Sequence, residues 1–376
     1  MRVAIVHNFH SEDVPSGENE VVEAEAAALE RAGFDVRIAS VHNDDLATRR
    51  LHAVRGAATV MTGIGISPLS RLNGFRPDVI HVHSLFPYFG RAWLRRPPAP
   101  VVATLHSYRS VCANGFLFRD GEVCTLCPDG RPWSGVRHAC YRHSRLATVP
   151  LAWAGRRGAT ADPILRDARR LLVLSGRAEG VLAAAGVSPA KMNRDWHFVP
   201  DGLDPTGEGE RGDAWLFVGR LTREKGIDRL VAEWPAGVPL RIIGAGNLRP
   251  SLEGAAAGKD ITFLGRLPRT TVVAEMRRSF GLVFPSRWFE TFGLTYMEAL
   301  AAGLPTLAFP PNVVADAVEQ DGTGAVAAWG EVGQALDRAR LSFDGLRDRC
   351  RSLFLERYTE EAFVARRTRL YNEVRR

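Results

Sequence analysis

Short apolar runs recur along the chain, each closed by a turn and followed by a helix-like stretch. Val3 to Val6, Val36 to Ala39, Val79 to Val82, Val101 to Leu105 and Leu171 to Leu174 form a first series. Trp215 to Val218, Leu240 to Ile243, Ile261 to Leu264, Leu282 to Phe284 and Pro305 to Ala308 form a second. Unbroken apolar runs suit strands buried on both faces, and the helical stretches between them supply the crossovers that parallel strands need. The polar, Gly-rich segment Asp204 to Asp213 separates the two series and reads as a linker. The expected fold is therefore α/β, with two doubly wound parallel-sheet (Rossmann-like) domains. We place an N-terminal domain at 1–205, a second at 206–355, and a C-terminal helix at 356–376 that packs back on the first. Phe363, Val364, Leu370 and Tyr371 give that helix its apolar face. Ligands of such sheets bind beyond the carboxyl ends of the strands, so two facing sheets direct attention to the cleft between them.

A length of 376 residues suits two domains, each able to bury its own core. The net charge is +7, yet of the 49 basic residues only Lys191, Lys225 and Lys259 are lysine. That skew looks like codon composition, so the charge is not read as a nucleic-acid footprint. It does make each lysine informative. The uncharged stretch Gly56 to Ser70 is shorter than a bilayer span and is interrupted by Gly63, Gly65 and Pro68. The N-terminus enters a strand where a signal peptide would continue apolar, which places the protein in the cytoplasm.

Two motifs in the second half carry chemistry. In Phe284-Pro-Ser-Arg-Trp-Phe-Glu-Thr-Phe-Gly-Leu-Thr-Tyr-Met-Glu298 a strand ends, a loop carries Glu290, and a helix opens near Gly293 with Glu298 inside it. By spacing alone, Glu290 is a solvated loop acid and Glu298 a first-turn acid that favours the helix dipole. The context offers another reading. Amides of Phe292, Gly293 and Leu294 at a helix N-terminus could receive a phosphate, and a carboxylate on each side could accept sugar hydroxyls. In Phe217-Val-Gly-Arg-Leu-Thr-Arg-Glu-Lys-Gly226, Arg220 and Lys225 follow a strand and flank the same sheet edge. Each is a surface cation or ion-pair partner in the bland reading. Together they suit a leaving diphosphate, which gains charge in the transition state.

These motifs, in this order and about 65 residues apart, resemble those of the family 4 retaining glycosyltransferases of GT-B fold, with the two glutamates as an E-x7-E pair. The resemblance implies that Glu290 contacts the donor sugar and Glu298 the ribose, while Arg220 and Lys225 hold the diphosphate. It further implies a nucleotide pocket lined by Gly219, Gly244, Gly246, Leu264 and Gly265. Thr291 stands where proline is frequent in the family, and Pro310-Pro311 replaces a usual glycine pair. Gly17, in Pro15-Ser-Gly-Glu-Asn-Glu-Val-Val22, resembles the family's N-terminal glycine loop. Equally, Ser16 is simply an N-cap there. His106, after Val101 to Leu105, falls where the family keeps a histidine facing the donor sugar, although a histidine at a strand end is more often structural.

Four cysteines fall in a Cys-rich insertion at 107–145: Cys112, Cys124, Cys127 and Cys140. Their spacing fits a structural zinc site of four thiolates, with small unpaired hydrophobes as the alternative. Gly56 to Ser70, beside Arg49, Arg50 and Arg55, offers a lipid-facing or acceptor-facing element, or an ordinary covered helix. The combined expectation is a retaining, metal-independent transfer of a hexose or related sugar from a UDP- or GDP-sugar to a hydroxyl acceptor. A lipid-linked acceptor at the inner membrane face, in cell-surface polysaccharide or glycolipid assembly, is the default. Natural-product glycosylation, a nucleotide-sugar epimerase on the same fold and a non-catalytic binding subunit are the alternatives. The sequence does not fix the oligomeric state.

Overall fold

The computed structural model describes residues 1–11, 16–47, 51–200 and 212–376. Residues 204–211 of the linker, the 205/206 domain edge, Pro15, Arg49 and Arg50 lie outside the described residues. The chain divides into two compact units. The first comprises Met1–Arg119, Cys124–Trp196 and Val364–Arg376, and the second comprises Asp120–Val123 and His197–Phe363.

In the first unit β1 (Arg2–Phe9), β2 (Asp35–His42), β3 (Val79–Ser84), β4 (Val101–Thr104), β5 (Arg170–Val173) and β6 (Met192–Arg194) form one sheet. The order is β2-β1-β3-β4-β5-β6, and every pairing is parallel. Val3, Ala4, Ile5 and Val6 are wholly buried, as a strand covered on both faces requires. The sequence pattern passed over β6, whose polar residues Asn193 and Arg194 lie at the sheet edge. The helix Glu360–Arg375 buries Phe363, Leu370, Tyr371 and Val374, and the last three join the core built by Val3, Ile5, Val22 and Leu29.

In the second unit β7 (Trp215–Val218), β8 (Leu240–Ile243), β9 (Ile261–Gly265), β10 (Gly281–Phe284), β11 (Thr306–Ala308) and β12 (Gly324–Val326) form the other sheet. Its order is β9-β8-β7-β10-β11-β12, again all parallel. β12 was missed because it is only three residues long and opens with Gly324. Trp215 anchors the core, edge-on to Trp234, Phe280 and Phe343. Gly281 is required beside it, since a Cβ there would stand 2.6 Å from the Trp215 ring.

Strand order reverses between β1 and β3 in the first sheet and between β7 and β10 in the second. At such switch points the loops leave in opposite directions and open a crevice at the carboxyl edge. Both candidate sites below lie at these two places.

Candidate active site

After β7 the chain makes one 3-10 turn, Arg223–Lys225, which Gly226 ends at φ +70°. A Cβ on Gly226 would lie 1.9 Å from the Pro285 carbonyl oxygen, so glycine alone lets this turn close against the segment following β10. The Arg287 amide donates to the Glu224 carbonyl at 2.9 Å and fixes the contact. Two residues 65 positions apart are thereby joined: Lys225 Nζ donates to Glu290 Oε1 at 2.6 Å. Ser286 Oγ at 2.6 Å and Trp288 Nε1 at 3.2 Å donate to the same oxygen. Glu290 is only 4% exposed, so it is not the solvated loop acid of the bland reading. With three donors on Oε1, its Oε2 has no donor among the described residues. An ammonium group has more N–H bonds than one carboxylate oxygen can engage, so Lys225 keeps donors for a further anion.

The rim of this site is backbone held to backbone. The Gly219 amide donates to Ile243 O, Leu221 to Ala245 O and Gly244 to Gly265 O. A Cβ on Gly244 would meet Gly219 O at 1.9 Å, and one on Gly246 would meet Leu221 O at 2.3 Å. Gly219, Gly244, Gly246, Leu264 and Gly265 thus line adjoining strand ends. Gly293 caps the helix Leu294–Ala301, and its own Cβ would strike Val314 Cγ2 at 2.5 Å. The early amides of that helix, from Phe292 through Leu294, sit where intrahelical acceptors run out. Asn312 ties this region together: Nδ2 donates to Ser286 O at 2.8 Å while Oδ1 caps the next helix.

Arg220 and Glu298 are engaged elsewhere. Arg220 pairs with Glu224 at 3.3 Å, and its side chain is 41% exposed. Glu298 pairs with Arg269 at 3.4 Å. Ser286 and Trp288 belong to the site yet escaped the sequence reading, because their types carry no signal without the folded loop.

The first unit holds a second polar constellation. Gly17 opens the helix Gly17–Arg31, which Ser16 caps by accepting from the Asn19 amide at 3.4 Å. His106 Nε2 lies 2.8 Å from His83 Nδ1. His83 Nε2 faces Glu25 Oε2 at 3.6 Å, and His81 Nδ1 approaches Glu25 Oε1 at 2.9 Å. Arg367 Nε at 3.1 Å and the Tyr371 hydroxyl at 3.2 Å also donate to Glu25 Oε1. Glu25, His81 and Arg367 are wholly buried, and His83 is 6% exposed. Burial works against the Glu25 charge, but Arg367, His81 and His83 hold its carboxyl well below the usual range. Burial also drives His83 well below its ordinary value and pushes His106 down to about 4, so both rings are neutral at pH 7. Glu18 is half-buried, and although its partial desolvation opposes the charge, His10, His106 and His7 hold it at about 2. A signal for this cluster was available: His81 and His83 alternate on one face of the otherwise apolar Val79-Ile-His-Val-His83.

The zinc expectation needs correction. Cys112, Cys124, Cys127 and Cys140 form no disulfide and are half-buried. Among the described residues, the group of His, Cys, Asp and Glu whose ligand atoms all lie within 4.8 Å of one another is Glu25, His81 and His83, not the cysteines. Cys112 Sγ instead donates to Asn114 Oδ1 at 3.0 Å and Cys127 Sγ to Pro132 O at 3.9 Å. Burial, followed by the neighbouring sulfurs, pushes the Cys127 thiol up to about 11, which makes it an unreactive thiol. The Glu25 triangle is no better suited to a cation, because the Arg367 guanidinium already occupies its charge.

The profile for "Glycosyl transferases group 1" matches residues 204–343, and that for "Glycosyltransferase Family 4" matches residues 15–206. The chain is 27% identical over 295 residues to a glycogen synthase of Mycobacterium tuberculosis, covering 73% of this chain. It spans only 62% of that relative's length. It is 29% identical over 360 residues to a GDP-mannose-dependent alpha-mannosyltransferase of the same organism, covering 88% of this chain and 85% of the other. Sucrose-phosphate synthase from Thermosynechococcus elongatus shares the fold at TM-score 0.69 and 17% identity, covering 99% of this chain and 98% of that one. Anabaena HepE in complex with UDP shares it at TM-score 0.61 and 14% identity, covering 99% and 100%. With two parallel six-stranded sheets and a profile match across half of its residues, the chain belongs to glycosyltransferase family 4.

Proposed function

We propose that this protein transfers a sugar from a nucleoside diphosphate donor, a UDP- or GDP-sugar, to a hydroxyl acceptor with retention at the anomeric carbon. The observation that carries this reading is the Lys225–Glu290 contact of 2.6 Å at the switch point of the second sheet. Lys225, Arg220 and the helix amides near Gly293 receive the diphosphate as it gains charge. Glu290 Oε2 accepts a sugar hydroxyl while Oε1 stays fixed by Lys225, Ser286 and Trp288. Glu298 takes the ribose, and the glycine rim admits the base. His106 contacts the donor sugar; neutral and half-buried, it serves as a hydrogen-bonding group rather than a proton store. Retention follows if the acceptor hydroxyl attacks on the face the diphosphate leaves, the departing oxygen taking the proton.

A lipid-linked acceptor at a membrane surface, as in cell-surface polysaccharide assembly, draws support from the first unit. The helices His52–Thr62 and Arg145–Gly155 pack on one another. They and the adjoining loops expose Leu51, Val54, Met61, Ile64, Leu146 and Trp153 beside exposed Arg55, Arg145, Arg156 and Arg157. The Gly56 to Ser70 element is thus only partly covered. Apolar and aromatic side chains among arginines suit an anionic lipid interface. No helix among the described residues is long and apolar enough to cross a membrane.

A thermal-shift panel of UDP, GDP, ADP and TDP tests donor binding, because a ligand of the folded state raises its apparent stability. UDP or GDP is expected to raise Tm in wild type and not in Lys225→Ala. Release of nucleoside diphosphate from the matching donor should then require an added acceptor. No shift with any of the four would overturn the proposal, and acceptor-independent turnover would favour an epimerase.

A further inference from the structure

We infer that Glu25 and His83 are positioning residues that set the tautomer of His106, leaving its Nδ1 as a hydrogen-bond acceptor. The inference rests on the transferase reading for its purpose, though its geometry stands alone. His83 Nδ1 and His106 Nε2 are 2.8 Å apart, so one of them carries the proton and the other accepts it. The choice is made at the far end of His83, where Nε2 meets Glu25 Oε2 at 3.6 Å. Glu25 Oε1 is already occupied by His81, Arg367 and Tyr371. A bare Nε2 lone pair would face a bare carboxylate oxygen in a dry interior, an arrangement that is repulsive in low dielectric. Protonating His83 Nε2 removes that repulsion and leaves His83 Nδ1 as an acceptor. His106 must then donate through Nε2, and its Nδ1 holds the lone pair.

The neighbouring groups agree with this polarity. His81 Nδ1 lies 2.9 Å from the Glu25 carboxylate, which only accepts, so that nitrogen carries a proton toward Glu25 while Nε2 meets Thr104 Oγ1 at 2.7 Å. Arg367 is itself held by Asp195, which also accepts from Arg366 Nε at 2.7 Å. Glu25 is therefore fixed as an anion by a chain that begins in the C-terminal helix. Among the described residues, the further charged or titratable groups that act on His106 include Glu18 and His7. A carbohydrate hydroxyl is a donor as well as an acceptor, and a histidine locked as an acceptor reads the donor direction of one hydroxyl.

The test is a long-range 1H–15N NMR spectrum of the full-length protein with labelled histidine, His106 being assigned by loss of its signals in His106→Gln. The expected wild-type pattern is protonated Nε2 and unprotonated Nδ1. Glu25→Gln, which offers His83 an N–H in place of an anion, should shift His106 toward protonated Nδ1. Protonated Nδ1 in wild type, or an unchanged pattern in a folded Glu25→Gln, would overturn the inference. This readout needs no substrate, so it fails or succeeds independently of the transferase reading. In turnover, His83→Ala should lower kcat about tenfold, the size of one lost hydrogen bond, with nucleoside diphosphate affinity unchanged and partial recovery in His83→Asn. Weakened diphosphate binding or full activity in His83→Ala would argue against a positioning role.

Discussion

The two units meet their charges in opposite ways. In the second, Lys225 and Arg220 keep 21% and 41% of their side chains in solvent, and the buried partner is an acid, Glu290. In the first, Glu25, His81, His83 and Arg367 have no exposed side-chain surface at all. A group that must receive a diphosphate needs accessible donors, whereas a group that only orients another works best dry. On the proposed function, the difference separates residues that would touch ligand from those that hold them.

If that division is right, the largest effect belongs to the exposed cation. Lys225→Ala should lower kcat/KM about 10²- to 10³-fold, as the loss of one preorganised electrostatic contact does, against about tenfold in kcat for His83→Ala. Comparable losses in both variants would erase the distinction. Next comes Gly226→Ala, which places a Cβ 1.9 Å from the Pro285 carbonyl and imposes φ +70° on alanine. It should cost ~2 kcal/mol or more in denaturant unfolding and impair nucleotide binding with it.

The dry cluster of the first unit predicts a pH effect. An unfolded histidine protonates near pH 6.5, whereas His106 in the folded protein resists protonation until about 4. Between those values the unfolded chain binds more protons, so stability falls as pH drops from 7 and the loss is complete below 4. Glu18, held at about 2, adds a further loss as pH falls from about 4.5 toward 2. Hydrogen-exchange protection in β1 and β3 at pH 5 relative to pH 7, corrected for intrinsic rates, should drop more than in β7 and β10. The smallest effect lies on the arginine-flanked surface: Leu146→Ser should change stability by less than ~0.5 kcal/mol while reducing co-sedimentation with anionic vesicles.

Most of the architecture was readable because parallel strands buried on both faces write themselves as continuous apolar runs. β6 and β12 were not, since each is three residues long and neither is uniformly apolar. Lys225 and Glu290 were legible from their flanking glycines and helix start. The hydroxyl of Ser286 and the indole of Trp288 became partners only once the loop folded. The buried cluster was hidden for another reason. Its members come from the helix Gly17–Arg31 through the last helix, with Glu25 and Tyr371 separated by 346 positions, so local spacing announces only the His81 and His83 pair. The cysteines misled in the reverse sense, because metal-like intervals were taken up by turns in which Cys112 and Cys127 find local acceptors.

The decisive measurement is calorimetric titration of the nucleoside diphosphate that stabilises the wild type into wild type, Lys225→Ala and His83→Ala. The expected result is one site in wild type, affinity reduced at least tenfold in Lys225→Ala, and affinity unchanged in His83→Ala. Equal binding by wild type and Lys225→Ala would contradict the placement of the diphosphate beside Lys225 and Glu290.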